Sequence, residues 1–177
     1  VNEHADIFAS QMSLSNNGSL FKVSSRWGFG EIKSQIVGEF NVRNMLAVLG
    51  GLLCSGVDFA KACNAVGALR PPEGRLQRVG EKYIRHVYVD YAHTPDALSR
   101  LLGTLRSLLK PRGRVITIFG AGGDRDKDKR KLMGQAVLEF SDVTIVTTDN
   151  PRNEDPDSII EQIICGKEDQ FIVDPDR

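Results

Sequence analysis

The chain has 177 residues, and its 23 Lys and Arg are balanced by 23 Asp and Glu, so the formal net charge is zero. With no basic excess or basic tail to meet phosphates, neither nucleic-acid nor membrane-surface binding is expected. Cys54, Cys63 and Cys165 lie far apart with no Cys-x-x-Cys pair, which argues against a disulfide framework or zinc site and for reduced thiols in the cytoplasm. The longest apolar run, residues 45–57, contains Gly50, Gly51 and Gly56 and is too short to span a bilayer. The chain opens on Val with no signal peptide, so a longer natural protein is expected.

Residues 1–19 read as polar and irregular, ending in the turn signal Asn16-Asn17-Gly18-Ser19. Leu20–Ser24 and Glu31–Val37 alternate as a small antiparallel pair around Trp27-Gly28-Phe29-Gly30. Gly38-Glu39-Phe40-Asn41 leads into a helix over Val42–Cys54, with Asn41 a candidate cap and Asn44 one turn further in. A second helix over Asp58–Leu69 starts on an Asp58 cap, and the two should pack as a hairpin. Arg70-Pro71-Pro72-Glu73-Gly74 cannot continue a helix and is the expected domain boundary, giving domains 1–74 and 75–177.

Beyond that break, strands and helices alternate. Val87–Val89 reads as a buried strand, and Thr94-Pro95-Asp96 combines a capping threonine, a first-turn proline and a first-turn acid. Strands over Val115–Phe119 and Val143–Thr147 alternate with helices over Lys129–Phe140 and Pro156–Cys165, and Phe171–Val173 begins a fourth strand. This repetition implies an α/β domain of Rossmann type with a mostly parallel, doubly wound sheet, incomplete at its end.

Ligands of open α/β sheets bind beyond the carboxyl ends of the strands. Three polar clusters fall there: Asp90–Asp96, Gly120–Lys127 and Asp149–Asp155. Each also has an ordinary local role available. Asp90 and Thr94 can cap a turn and a helix, and His93 can be a solvated loop residue. The charges from Asp124 to Lys131 fit a solvated helix start, and Asp155-Pro156 a helix cap. The glycines from Gly120 to Gly123 allow positive φ and close backbone approach. Arg125 nevertheless breaks the dinucleotide pattern, and no phosphate-loop Gly-Lys-Ser/Thr follows. Arg152 is surplus to the Asp155 cap and suits bidentate carboxylate binding. Arg75, directly after the double proline, is either a linker arginine or one that reaches a ligand. No His, Cys or Asp spacing makes a closed metal site.

Taken together, five strings resemble the Mur ligases, and among them the ligases that add 2,6-diaminopimelate. They are Gly38-Glu-Phe-Asn-Val-Arg-Asn44, Pro72-Glu-Gly-Arg-Leu-Gln-Arg-Val79, Asp90-Tyr-Ala-His-Thr-Pro-Asp-Ala-Leu98, Gly122-Gly-Asp-Arg-Asp-Lys127 and Asp149-Asn-Pro-Arg-Asn-Glu-Asp-Pro156. Asp128, Lys131 and Glu73 depart from the family's usual residues.

The resemblance implies an ATP-dependent amide ligase of peptidoglycan synthesis that joins meso-diaminopimelate to UDP-MurNAc-L-Ala-D-Glu through an acyl phosphate. It implies that residues 1–74 end the central ATPase domain and residues 75–177 form most of the carboxy-terminal domain. By the same likeness Asn44 contacts adenine, Asp90 the ribose and Arg75 the ATP phosphates, with Arg75 and His93 serving catalysis. Thr94, Arg125, Asp149, Asn150, Pro151 and Arg152 match the diaminopimelate site. ATP and Mg2+ are the implied cofactors, with most of their ligands, including the phosphate loop, outside this chain. The isolated chain is therefore expected not to turn over. A cytoplasmic monomer acting on small molecules is expected. The alternatives are a non-catalytic binding fragment, a dehydrogenase's dinucleotide module or, within the ligases, a cyanophycin- or folylpolyglutamate-type enzyme, which the Asp149-Asn-Pro-Arg152 string disfavours.

Overall fold

In the computed structural model, residues 5–80, 85–109, 111 and 113–176 are described. The first 15 of these hold a strand where the sequence reads as irregular. β1 (Ile7–Ser15) pairs antiparallel with β2 (Gly18–Ser25), which pairs with β3 (Gly28–Ser34). The alternation of β1 is hidden because the strand changes phase. Ile7 and Ala9 meet the core before a register shift between Ser10 and Ser13, Met12 within it and Leu14 after it, and Gln11, also within it, has φ 48°. A bulge of this kind moves the apolar set by one residue, and a strict period of two no longer shows.

α1 (Glu39–Cys54) and α2 (Phe59–Gly67) bury Val42, Met45, Leu49, Ala62 and Val66 in one cluster with Phe21, Val23 and Ile32 of the sheet. α1 starts earlier than the sequence suggests, because Gly38 takes φ 97° at the cap position. Asn41 consequently lies inside the first turn and does not cap it; its amide instead donates to the Val37 carbonyl at 2.8 Å. Asp58 does cap α2, its Oδ1 accepting from the Lys61 N–H at 3.1 Å. Asp58→Ala is expected to cost about 1 kcal/mol. A thermal melt of the chain should show a lowered midpoint, and an unchanged one would mean that the cap is dispensable.

β4 (Gln77–Val79) and β5 (Val87–Val89) form an antiparallel ribbon. This corrects the buried parallel strand expected at 87–89: Val87 and Val89 are 47% and 46% exposed. Arg78 and Tyr88 of this ribbon hydrogen-bond to Asn16 and Asn17 in the β1–β2 turn. Three apolar residues in a row satisfy a buried strand and an exposed ribbon equally well, so the run alone does not decide.

The chain divides into two compact units, Val1–Tyr91 and Ala92–Arg177. In the second, β6 (Ile116–Phe119), β7 (Val143–Val146) and β8 (Ile172–Val173) form a parallel sheet in that order. α3 (Pro95–Ser107), α4 (Asp128–Phe140) and α5 (Pro156–Ile164) share an apolar cluster with Val146. Its members include Leu98 and Leu102, Met133 and Val137, and Ile159 and Ile163, which lie three or four residues apart on their helices. The mixed α/β character and the parallel sheet agree with the pattern of the sequence. Ile116, Ile118 and Ile172 stand exposed on the sheet. No described helix is long and apolar enough to cross a membrane.

Candidate functional site

The sequence-derived candidates fall into two sets, one in each unit. In the first unit, Asn44 lies on the exposed side of α1, and its amide donates to Asn41 Oδ1 at 3.2 Å. Asp90 follows β5, and its Oδ2 accepts the Leu76 N–H at 2.7 Å, securing a residue held at φ 45°. The Arg75 guanidinium sits 5.0 Å from the Tyr91 ring centroid, a cation–π distance, while its backbone N–H is tied to the Pro72 carbonyl.

In the second unit, Thr94 is the cap of α3; its Oγ1 accepts from the Ala97 N–H at 3.3 Å, with Pro95 at the first helical position. His93 is exposed just before it. Asp155 occupies the cap position of α5 in backbone terms, but no side-chain capping bond forms.

The remaining candidates come from two loops that the parallel pairing of β6 and β7 brings side by side. The loop after β6 carries Gly122, Gly123, Asp124 and Arg125, and the loop after β7 carries Asp149, Asn150, Pro151 and Arg152. The Gly123 N–H donates to the Asn150 carbonyl at 2.9 Å, and Asn153 Nδ2 to Asp124 Oδ2 at 2.8 Å. Arg152 Nη1 donates to the Gly123 carbonyl. The glycines serve proximity, not positive φ: a Cβ on Gly123 would lie 1.8 Å from the Pro151 carbonyl oxygen. The left-handed backbone is taken instead by Asp124 and Arg152, at φ 52° and 51°. For Arg152 this turn is held by an Asx-type bond from its N–H to Asn150 Oδ1 at 3.2 Å. Arg125 is exposed, with a backbone-carbonyl contact at 3.3 Å.

One expectation fails here with a clear cause. The charged run into α4 is not uniformly solvated, because Arg130 is 1% exposed. Its guanidinium donates to both oxygens of Glu154, at 2.8 and 2.7 Å, and to Gln162 Oε1 at 2.8 Å and the Gly122 carbonyl at 3.3 Å. Glu154 also accepts the Asp124 N–H at 2.6 Å and faces Lys127 at 3.3 Å. Bonding to Arg130 is the main reason its carboxyl pKa falls to about 2, so the pair stays ionised at working pH. The signal that would have found Arg130 is its spacing: it precedes Met133, Gly134 and Val137 by three, four and seven residues, on the buried stripe of α4.

Among the described residues no three His, Cys, Asp or Glu side chains gather as a metal site. The joined loops of the second unit bring two guanidinium groups, Arg125 and Arg152, onto neighbouring stretches of backbone, and a guanidinium can meet a carboxylate through two hydrogen bonds.

Residues 74–177 match the sequence profile described as Mur ligase, glutamate ligase domain. The chain belongs to the Mur ligase family. A Mur ligase of Clostridium acetobutylicum, UDP-N-acetylmuramoyl-L-alanyl-D-glutamate–2,6-diaminopimelate ligase 2, is 44% identical over 163 residues, which are 92% of this chain and 33% of that one. A solved structure of a ligase bearing the same name, without the numeral, matches all of this chain and 36% of its own, with TM-score 0.66 and 35% identity. The Mycobacterium tuberculosis folylpolyglutamate synthase solved with ADP shares the fold, with TM-score 0.77 at 21% identity over 97% of this chain and 38% of that one. This chain spans about a third of the length of the curated Mur ligases that it matches.

Proposed function

We propose that this chain is the part of a diaminopimelate-adding Mur ligase that reads the amino acid and part of the ATP. Residues 1–74 would close the central ATP-binding domain and residues 75–177 would form the amino-acid-binding domain. The observation that carries the reading is the pair of joined loops after β6 and β7, which presents Arg125 and Arg152 from adjoining backbones at the carboxyl ends of parallel strands. Its support comes from a 44% identical relative whose name specifies 2,6-diaminopimelate.

Diaminopimelate differs from lysine by a second carboxylate, and a guanidinium meets a carboxylate through two parallel hydrogen bonds. Arg152 is assigned to that distal carboxylate, with Arg125, Asp149, Asn150, Pro151 and Thr94 lining the same substrate. In the first unit, Asn44 would hold the adenine, Asp90 the ribose and Arg75 the phosphates of ATP. Bound ATP would supply the phosphoryl group that activates the D-glutamyl carboxylate for attack by the amine. Arg75 and His93 are each assigned a role in catalysis, as residues that would stabilise developing charge. No magnesium ligand is assigned to this chain. The proposal extends to a cytoplasmic, monomeric enzyme, in keeping with its small-molecule substrates.

The test is phosphate release by the full-length protein given ATP, UDP-MurNAc-L-Ala-D-Glu and either meso-diaminopimelate or L-lysine. Release that depends on diaminopimelate and is poor with lysine is the expected result. Equal or greater release with lysine would overturn the substrate assignment.

A further inference from the structure

We propose that Glu154 and Arg130 are positioning residues that set amino-acid preference by locking the two loops into one binding surface. The proposal rests on the reading of those loops as the diaminopimelate site. Glu154 lies two residues beyond Arg152, and Arg130 lies in the first turn of α4. Neither needs to touch substrate in order to act.

The Glu154 carboxylate is the point where both loops meet. Its own backbone belongs to the second loop, through an N–H bond to the Pro151 carbonyl at 3.0 Å. Its Oε1 reaches across to the Asp124 N–H of the first loop, at 2.6 Å. That bond fixes the residue held at φ 52°, and so the direction in which Arg125 leaves the chain. Arg130 then fixes the carboxylate itself through a two-point contact, while its other bonds reach α5 at Gln162 and the first loop at Gly122. Its buried Nε has no hydrogen-bond partner, so the guanidinium is oriented by the loops at the expense of its own full satisfaction.

A pair present only for stability would not need these links. Buried ion pairs are often replaceable by apolar residues without loss, and their best-attested use is to impose one geometry. Here the geometry imposed is the spacing of two substrate-reading arginines. An isosteric Glu154→Gln amide cannot accept from both Arg130 amino groups, since one of its ends is itself a donor. The loops would then be held by their weaker straps alone.

The experiment measures kcat and KM for diaminopimelate, ATP and lysine in the full-length protein and in Glu154→Gln, Arg130→Lys and Asn153→Ala. A displacement of about an ångström at a positioned group costs up to about 100-fold, so KM for diaminopimelate should rise about 10- to 100-fold in Glu154→Gln. KM for ATP should stay within about twofold, since no ATP contact is assigned to these loops. Arg130→Lys should behave like Glu154→Gln, because one ammonium cannot span two carboxylate oxygens. On an Arg152→Ala background, Glu154→Gln should add little, as coupled residues do in a double-mutant cycle.

Should Glu154→Gln fail to fold, Asn153→Ala decides. It removes only the exposed strap to Asp124 and should still raise KM for diaminopimelate. Parallel rises for ATP and diaminopimelate, full additivity with Arg152→Ala, or an unmoved KM in Asn153→Ala would each overturn the positioning role. Wild-type protein that ignores diaminopimelate would instead overturn the reading of the site on which the proposal rests.

Discussion

Replacing Arg152 by alanine in the full-length protein is expected to lower kcat/KM for diaminopimelate by an amount equivalent to on the order of 2–5 kcal/mol, the range for truncating one partner of a desolvated charge pair. Lysine, without the distal carboxylate, should lose far less, so selectivity collapses while the chemistry persists. One amino group of the guanidinium is engaged with the Gly123 carbonyl, which aims the rest of the fork and leaves its other donors for a ligand. Arg152→Lys should not restore the preference, since a single ammonium lacks the planar two-point match. The comparison of kcat/KM for both amino acids in wild type and variant decides the matter. Equal fractional losses would mean that Arg152 shapes its loop without reading the substrate.

Gly123→Ala should be the most damaging small change in the second unit. The added methyl would meet the Pro151 oxygen at 1.8 Å and its carbonyl carbon at 2.5 Å, and both are backbone atoms that cannot rotate away. The loops must separate, which also weakens the bond from the Gly123 N–H to the Asn150 carbonyl. A loss of about 3 kcal/mol, the upper end of the usual overpacking range, is expected in denaturant unfolding, together with loss of diaminopimelate binding. Gly51→Ala provides the contrast, because nothing lies within 4 Å of its added methyl and the site is a helix interior. There alanine should be neutral or stabilising. A Gly123→Ala protein as stable as the wild type would show that the two loops tolerate separation.

The parts of this molecule legible from sequence are those in which one local signal decides the outcome. Asp58 and Thr94 are caps because an oxygen-bearing side chain stands just before an apolar stripe, and both make the bond. The parallel strands were legible because apolar runs alternate with helical spacing. The polar loops at their ends were legible for the same reason. Where two phases or two environments share one pattern, the reading fails. Gln11 changes the phase of β1, and Val87–Val89 is as apolar as a buried strand but lies on an exposed ribbon. Arg130 was hidden by its neighbours, since a charge among charges reads as surface until its place on the buried stripe is counted. Its partner Glu154 was visible only as part of a string; what gives it a role is the other loop, 30 residues earlier in the chain at Asp124.

That separation has a consequence for how the molecule acquires its site. The three-stranded sheet of the first unit is built from two-residue turns, Asn16-Asn17 and Arg26-Trp27, and its pairings close over short stretches of chain. The joined loops of the second unit cannot meet until α4 is formed and β7 has come alongside β6, because parallel strands require a full crossover between them. Contacts between distant parts of a chain carry the larger loop-closure entropy and form slowly. The arginine-bearing surface therefore belongs to the late-forming part of the chain. On these grounds the first sheet is expected to order before the joined loops do, which pulse-labelled hydrogen exchange during refolding would show.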